Sequence, residues 1–166
     1  RSQVLSLEET LRIATAFVEL GVKKIRITGG EPLVRKDLPD LAAYAVEKGM
    51  RAVISTNGTL ISKNMARTLK EIGLSYVGIS LDGMETINDR FRGVPGAFNK
   101  AMQGIRNCQA AGIKVGLRFT INKFNVNEIP KIFQLLEKIF KDFRKLLIFI
   151  LLIYGIKPRG IPNCHF

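Results

Sequence analysis

A chain of 166 residues, 46% hydrophobic and 24% charged, has the composition of about one folded domain, which excludes wholesale disorder. Two cysteines, Cys108 and Cys164, cannot build a disulfide scaffold, and alone they fall short of the usual ligand set of a structural zinc or an iron–sulfur cluster. The 26 Lys and Arg against 14 Asp and Glu give a net charge of +12, but the basic residues are scattered, there is no Trp, and the aromatics do not interleave with Arg and Lys, so no nucleic-acid partner is expected.

Arg1 is not an initiator methionine, which reads as a processed, excised or truncated chain. The longest uncharged apolar run, 146–154, is far below the roughly twenty residues of a membrane-spanning helix. No membrane span is expected, and the default localisation is cytoplasmic.

The elements alternate. Ser6 is placed to cap a helix over 6–20, with Glu9 three residues on as a capping box requires. Leu7, Leu11, Ala14, Phe17 and Val18 share one face of it, and Gly21 ends it. A strand over 24–28 leads into the loop Gly29-Gly30-Glu31-Pro32. Asp37 is positioned to cap a helix that runs to about Lys48, with Pro39 in its first turn. A strand over 51–56 precedes Asn57-Gly58, a helix follows from Ser62 to just before Gly73, and a third strand covers 76–81 before Asp82-Gly83. The longer connection 84–96 holds a short helix around 86–91. Then come a helix over 97–111, a strand over 115–121, a loop over 122–127 and a helix over 128–139.

Strands separated by helices of this length predict parallel βαβ units. The strands read as apolar on both faces, as in a sheet covered by helices. Either an open doubly wound sheet or a (β/α) barrel would satisfy the pattern, and both bind ligands at the carboxyl ends of the strands. Attention falls on the loops 29–32, 56–58, 80–83 and 122–125. Gly and Asn are good turn formers whatever the function, yet four small polar loops share one rim. Glu31 stands out, because two glycines before it allow close backbone approach and Pro32 fixes the chain after it. Glu31 could hold an amine, and Ser80 with Asp82 could hold sugar hydroxyls, which together describe an amino-acid-plus-ribose pocket.

The ordered series Thr28-Gly29-Gly30-Glu31-Pro32, Ser55-Thr56-Asn57-Gly58, Ser80-Leu81-Asp82-Gly83 and Asp89-Arg90-Phe91-Arg92-Gly93 resembles the radical S-adenosylmethionine (SAM) enzymes. The likeness covers about residues 5–139. It is closest to the branch of haem d1 and alternative haem biosynthesis, the pyrroloquinoline-quinone peptide enzyme and the molybdenum-cofactor cyclase. The resemblance implies an α/β fold, a partial (β/α) barrel of parallel strands that is incomplete at both ends, with SAM and a [4Fe–4S] cluster. It also implies cleavage of SAM to a 5′-deoxyadenosyl radical that abstracts a hydrogen atom from a small-molecule or peptide substrate, fed by an electron donor. Carried over, Gly29, Gly30, Glu31 and Pro32 would meet the methionine amino group. Thr56 and Asn57 would lie beside SAM, Ser80 would contact its ribose or carboxylate, Asp82 would support that loop, and Arg118 could point toward a carboxylate. The plain alternative for Arg118 is a solvated or sheet-edge arginine.

The family's Cys-x3-Cys-x2-Cys motif is absent from the chain. In the family it lies upstream of the helix that here starts near Ser6. Cys108 reads as a buried helical thiol, and Cys164 beside His165 as tail residues, so no metal site is assigned. Residues 1–139 are taken as the family core. Residues 140–166, with five basic residues and one acidic, form an apolar and basic tail. The run 146–154 reads as a buried fifth strand, with non-family sequence or an amphipathic membrane contact as alternatives. Three readings remain: the SAM-binding part of an enzyme, inactive alone; a cluster-free SAM-binding module; or a non-functional truncated product. Cut sheet edges predict self-association.

Overall fold

The computed structural model describes residues 4–140 and 150–153. Five strands, β1 (Lys24–Ile27), β2 (Arg51–Thr56), β3 (Tyr76–Ser80), β4 (Val115–Ile121) and β5 (Ile150–Ile153), form one sheet in sequential order. Every adjacent pair is parallel. α1 (Leu7–Glu19) precedes β1, and between the strands run α2 (Leu38–Glu47), α3 (Lys63–Glu71), α4 (Glu85–Arg92), α5 (Ala97–Ala110) and α6 (Ile129–Ile139). A parallel sheet wound in one direction with right-handed crossovers puts its helices on a single face. Sequential order thus selects the barrel-type closure over the doubly wound sheet.

That order corrects one expectation. The strands are not apolar on both faces. Ile54, Val77, Ile79, Leu117 and Phe119 pack into a core with Ala42 and Ala45 of α2, Leu69 of α3, Ile105 of α5 and Leu136 of α6. The opposite face follows from the registers Arg26↔Val53, Val53↔Tyr76, Ser55↔Gly78, Gly78↔Gly116 and Ser80↔Arg118. It is largely polar, and its buried Val53 stands apart from the helix-side core. Alternation of polar and apolar residues is what one covered face requires.

Local signals explain most boundaries. The Ser6 and Glu9 capping box is closed: the Glu9 N–H donates to Ser6 Oγ at 3.2 Å and the Ser6 N–H to Glu9 Oε2 at 2.7 Å. Ser62 Oγ accepts from the Met65 N–H at 3.1 Å and starts α3. Asp37 holds the cap position of α2 without capping it, because its carboxylate is turned to Arg35 at 2.6 and 2.9 Å. β1 and β3 end one residue earlier than the sequence suggests, at Ile27 and Ser80, and α4 is longer than expected. A 3₁₀ turn at Pro32–Val34 was not expected, nor was a second at Val126–Glu128. β5 pairs Arg118 with Ile150, so part of the expected fifth strand is present. The other residues of that expectation, together with Arg1, Cys164 and His165, lie outside the described residues.

Candidate functional site at the strand ends

Glu31 ties the first two loops of the rim together. It precedes the 3₁₀ turn in extended conformation, and its own Oε1 accepts from the Leu33 N–H at 3.1 Å. The same oxygen accepts from Thr56 Oγ1 at 2.6 Å, while Oε2 accepts from the Asn57 N–H at 2.7 Å. Both carboxylate oxygens thus already serve β2's loop. The outward groups are the backbones of Gly29 and Gly30, where an added Cβ would meet nothing within 4 Å. Pro32, which opens the 3₁₀ turn, is buried.

The second loop is equally self-consistent. Thr56, buried, also accepts from the Gly58 N–H at 3.0 Å. Asn57 Oδ1 accepts from the Thr59 N–H at 2.9 Å and the Thr59 hydroxyl at 2.8 Å, an Asx turn. Gly58 has φ +78°, and a Cβ there would stand 2.8 Å from Ile79 Cγ2, so both conformation and space call for glycine.

Ser80, half-buried at the end of β3, has no side-chain partner among the described residues. Asp82 is 4% exposed and lies with Oδ2 2.6 Å from Nη2 of Arg92, the last residue of α4. Burial raises its pKa more than Arg92 lowers it. Its place beneath the surface suits support of the loop and not direct contact with a ligand hydroxyl. Arg92 comes from the Asp89-Arg90-Phe91-Arg92-Gly93 segment, and Asp89 itself accepts from the N–H groups of Gly96 and Phe98 at 2.5 and 2.8 Å, which starts α5.

Three residues that hold this rim escaped sequence reasoning. Asn88, 2% exposed, accepts from the Asp82 N–H at 3.0 Å. Asn125, fully buried, donates to the carbonyls of Asp82 and Thr120 at 3.0 and 2.9 Å and accepts from the Asn122 N–H at 2.8 Å. Glu128 accepts from the Met84 N–H at 2.8 Å and from Lys131 Nζ at 2.7 Å, so it caps α4 from across the rim. Asn125 lies in the rim loop 122–125, where turn formation already explains an asparagine, while Asn88 within α4 and Glu128 at the start of α6 read as ordinary polar helix residues.

Lys131 and the Met84 N–H hold the Glu128 carboxyl below its usual range. A carboxyl whose folded pKa lies below its unfolded value stabilises the fold above about pH 4.3 and loses that contribution as the pH falls through the folded value. Glu128→Gln is therefore expected to cost about 1 kcal/mol at neutral pH and progressively less as the pH falls below about 4.3. Urea midpoints at neutral pH and well below that value measure this, and an equal gap at both would contradict it.

Arg118 lies on the sheet face away from the helices. Its stem passes over Gly78, where a Cβ would stand 2.8 Å from Cδ, and its Nη1 donates to Ser55 Oγ. Among the described residues no carboxylate pairs with it. Burial, and then Arg26, lower its pKa. Gly29 to Pro32 and Thr56 with Asn57 are thus brought together directly, Ser80 and Arg118 lie opposite each other in the β3–β4 register, and Asp82 sits behind them. Cys108 is fully buried in α5, where burial pushes its thiol up to about 11.

Comparison with known proteins gives the family and the fold. The Radical SAM superfamily profile matches residues 1–136. The chain is 63% identical over 134 residues to the Fe-coproporphyrin III synthase of Methanosarcina barkeri, covering 81% of this chain and 34% of that protein. It is 46% identical over 116 residues to the pre-heme d1 synthase of Dinoroseobacter shibae, covering 70% of this chain and 29% of that one. It spans about a third of the length of these relatives. Among solved structures, native anSMEcpe with bound AdoMet and Cp18Cys peptide superposes with a TM-score of 0.75 at 21% identity, over 96% of this chain and 47% of that one, which shows the shared fold. With its single-direction parallel sheet, its rim of Gly-Gly-Glu-Pro, Thr-Asn-Gly and Leu-Asp-Gly loops, and this profile match, the chain belongs to the radical SAM superfamily.

Proposed function

We propose that this chain is the SAM-binding part of a radical SAM enzyme that modifies a tetrapyrrole. The 63% identity to an Fe-coproporphyrin III synthase carries the choice of a tetrapyrrole over a peptide. The core of this unit is taken as 1–139. SAM, when bound and reduced by a cluster, supplies a 5′-deoxyadenosyl radical for hydrogen abstraction.

The residues present fit SAM. The open backbone at Gly29 and Gly30 offers carbonyl oxygens to an ammonium group, with no side chain in the way. Glu31, through Thr56 and Asn57, holds that backbone at a fixed distance from the second loop. Ser80 offers to a ribose or carboxylate oxygen a hydroxyl that has no side-chain partner among the described residues. Asp82 with Arg92, Asn88 and Asn125 keeps the third loop in register with the others.

The residues present do not fit a [4Fe–4S] cluster. The sequence has two cysteines, Cys108 is buried within a helix, and the described residues hold no group of three or more metal-binding side chains. The cluster ligands are accordingly assigned to sequence beyond this chain, and the chain alone is expected to be inactive. Calorimetric titration with SAM, followed by anaerobic incubation with iron, sulfide and reductant, tests both halves. Binding of SAM without release of 5′-deoxyadenosine is the expected result. Release of 5′-deoxyadenosine would overturn the assignment of the ligands elsewhere, and a flat titration would overturn the SAM-binding reading.

A further inference from the structure

The sheet face away from the helices carries a charge pattern that the rim does not account for. The strand registers place Lys24, Arg26, Arg51 and Arg118 on that face. The segments β1 to β4 contain no Asp or Glu at all. Among the described residues neither Arg26 nor Arg118 has a carboxylate partner. Cations gathered on one surface without counter-charges raise the local concentration of an anionic ligand and leave donors for it.

A third group belongs to the same place. Tyr76 stands opposite Val53, which in turn stands opposite Arg26. Its ring lies across β4, because a Cβ on Gly116 would fall 2.2 Å from the phenolic oxygen. A Cβ on Gly78 would fall 3.2 Å from the ring and 2.8 Å from Arg118 Cδ. Gly78 and Gly116 therefore clear a slot in which the phenol and the Arg118 stem lie side by side. The phenolic oxygen is buried and has no hydrogen-bond partner among the described residues. A buried hydroxyl without a partner is costly, and native interiors rarely leave one. Burial raises the phenol's pKa, while Arg118 and Arg26 lower it, so both guanidinium groups act on the same oxygen.

We propose that Arg26, Arg118 and the Tyr76 hydroxyl form a carboxylate-binding seat on the helix-free face, and that it recognises a carboxylate side chain of the substrate. The inference rests on the tetrapyrrole reading above and adds the residues that would select a polycarboxylate. A carboxylate drawing Arg118 away from Ser55 can accept from both guanidinium groups and give the phenol its missing acceptor. Charge-assisted bonds of this kind distinguish a free acid from its ester, which keeps the ring and loses the charge.

The test uses the 166-residue chain with coproporphyrin III as a four-carboxylate probe, its tetramethyl ester, and SAM. Porphyrin fluorescence reads the first two and calorimetry the third. The free acid is expected to bind at least about 10-fold more tightly than the ester. Arg26→Gln and Arg118→Gln should each weaken the free acid about 10-fold, while Lys100→Gln, on an exposed part of α5, should not. Tyr76→Phe should weaken the free acid several-fold and leave the melting temperature unchanged or higher, since it removes an unpartnered hydroxyl. That combination separates a ligand-facing phenol from a merely structural one. Equal binding of acid and ester, or an unchanged acid affinity in Arg26→Gln, would overturn the seat. If Arg26→Gln and Tyr76→Phe weaken SAM instead of the probe, the carboxylate is the cofactor's own and the substrate assignment is overturned. If SAM fails to bind but the acid, the ester and the variants behave as expected, the SAM reading fails and the seat stands.

Discussion

Gly104→Ala is expected to destabilise the chain by about 3 kcal/mol, and so to lower its melting temperature by about 10 °C. Alanine for glycine inside a helix ordinarily gains about 1 kcal/mol. Here the sign reverses, because a Cβ on Gly104 would lie 2.3 Å from the carbonyl oxygen of Gly58 and 3.4 Å from Ile61 Cβ. The obstacle is backbone, so no rotamer change relieves it. Gly58 cannot retreat either, since its own α-carbon faces Ile79 and its N–H is held by Thr56. The strain passes directly to Asn57, so SAM affinity should fall together with stability. Thermal unfolding and SAM titration of Gly104→Ala beside Lys100→Ala, an exposed change on the same helix, decide the matter. A variant as stable as the parent would show that α5 does not press on this loop.

Glu31→Ala should have the second largest effect, and on a different quantity. It removes the acceptor for the Leu33 N–H, the Thr56 hydroxyl and the Asn57 N–H at once. Glu31 is only half-buried, so water can satisfy part of what is lost, and a stability cost of about 2 kcal/mol is expected. The larger consequence is for binding. The backbone of Gly29 and Gly30 and that of Asn57 would no longer share one fixed point, and SAM affinity should drop at least about 10-fold. Glu31→Gln should fall between, because its amide presents N–H donors where a second acceptor oxygen is needed. Unchanged SAM affinity in Glu31→Ala would show that the two loops are positioned independently.

The sequence makes the alternation of strands and helices legible because each boundary has a local cause. Ser6 with Glu9 forms the capping box that was expected, and Ser62, expected only as a helix start, acts there as the cap; both act within four residues of themselves. Asp37 shows the limit of that logic: the cap residue type is right, but Arg35 two residues earlier takes the carboxylate. The rim loops are legible because they resemble a family series, not because their chemistry is unique. What could not be read is the inward use of their side chains. Glu31 looks like an exposed ligand for a cation, yet Thr56 and Asn57, far along the chain, claim its oxygens. Asn125 and Glu128 act across more than forty residues, and Asn88 reaches six residues back to Asp82 from within α4, so no capping or turn pattern marks them. The polar face of the sheet was hidden in plain alternation, in which Arg26, Ser55, Tyr76 and Arg118 are separated by the core residues beside them.

The sequential order of the strands bears on how the chain assembles. Each strand pairs with the one made just before it, so no strand has to be inserted between two that already pair. Closing a loop costs entropy that grows only with the logarithm of its length, and the β1–β2 and β2–β3 connections, of one helix each, are short. The β3–β4 connection is longer, because it carries both α4 and α5. The amino-terminal units can therefore order as the chain emerges, each presenting an edge for the next. Growth at one edge makes the assembly vectorial, and the network of Asp82, Asn88, Asn125 and Glu128 acts as the latch that closes its longest step.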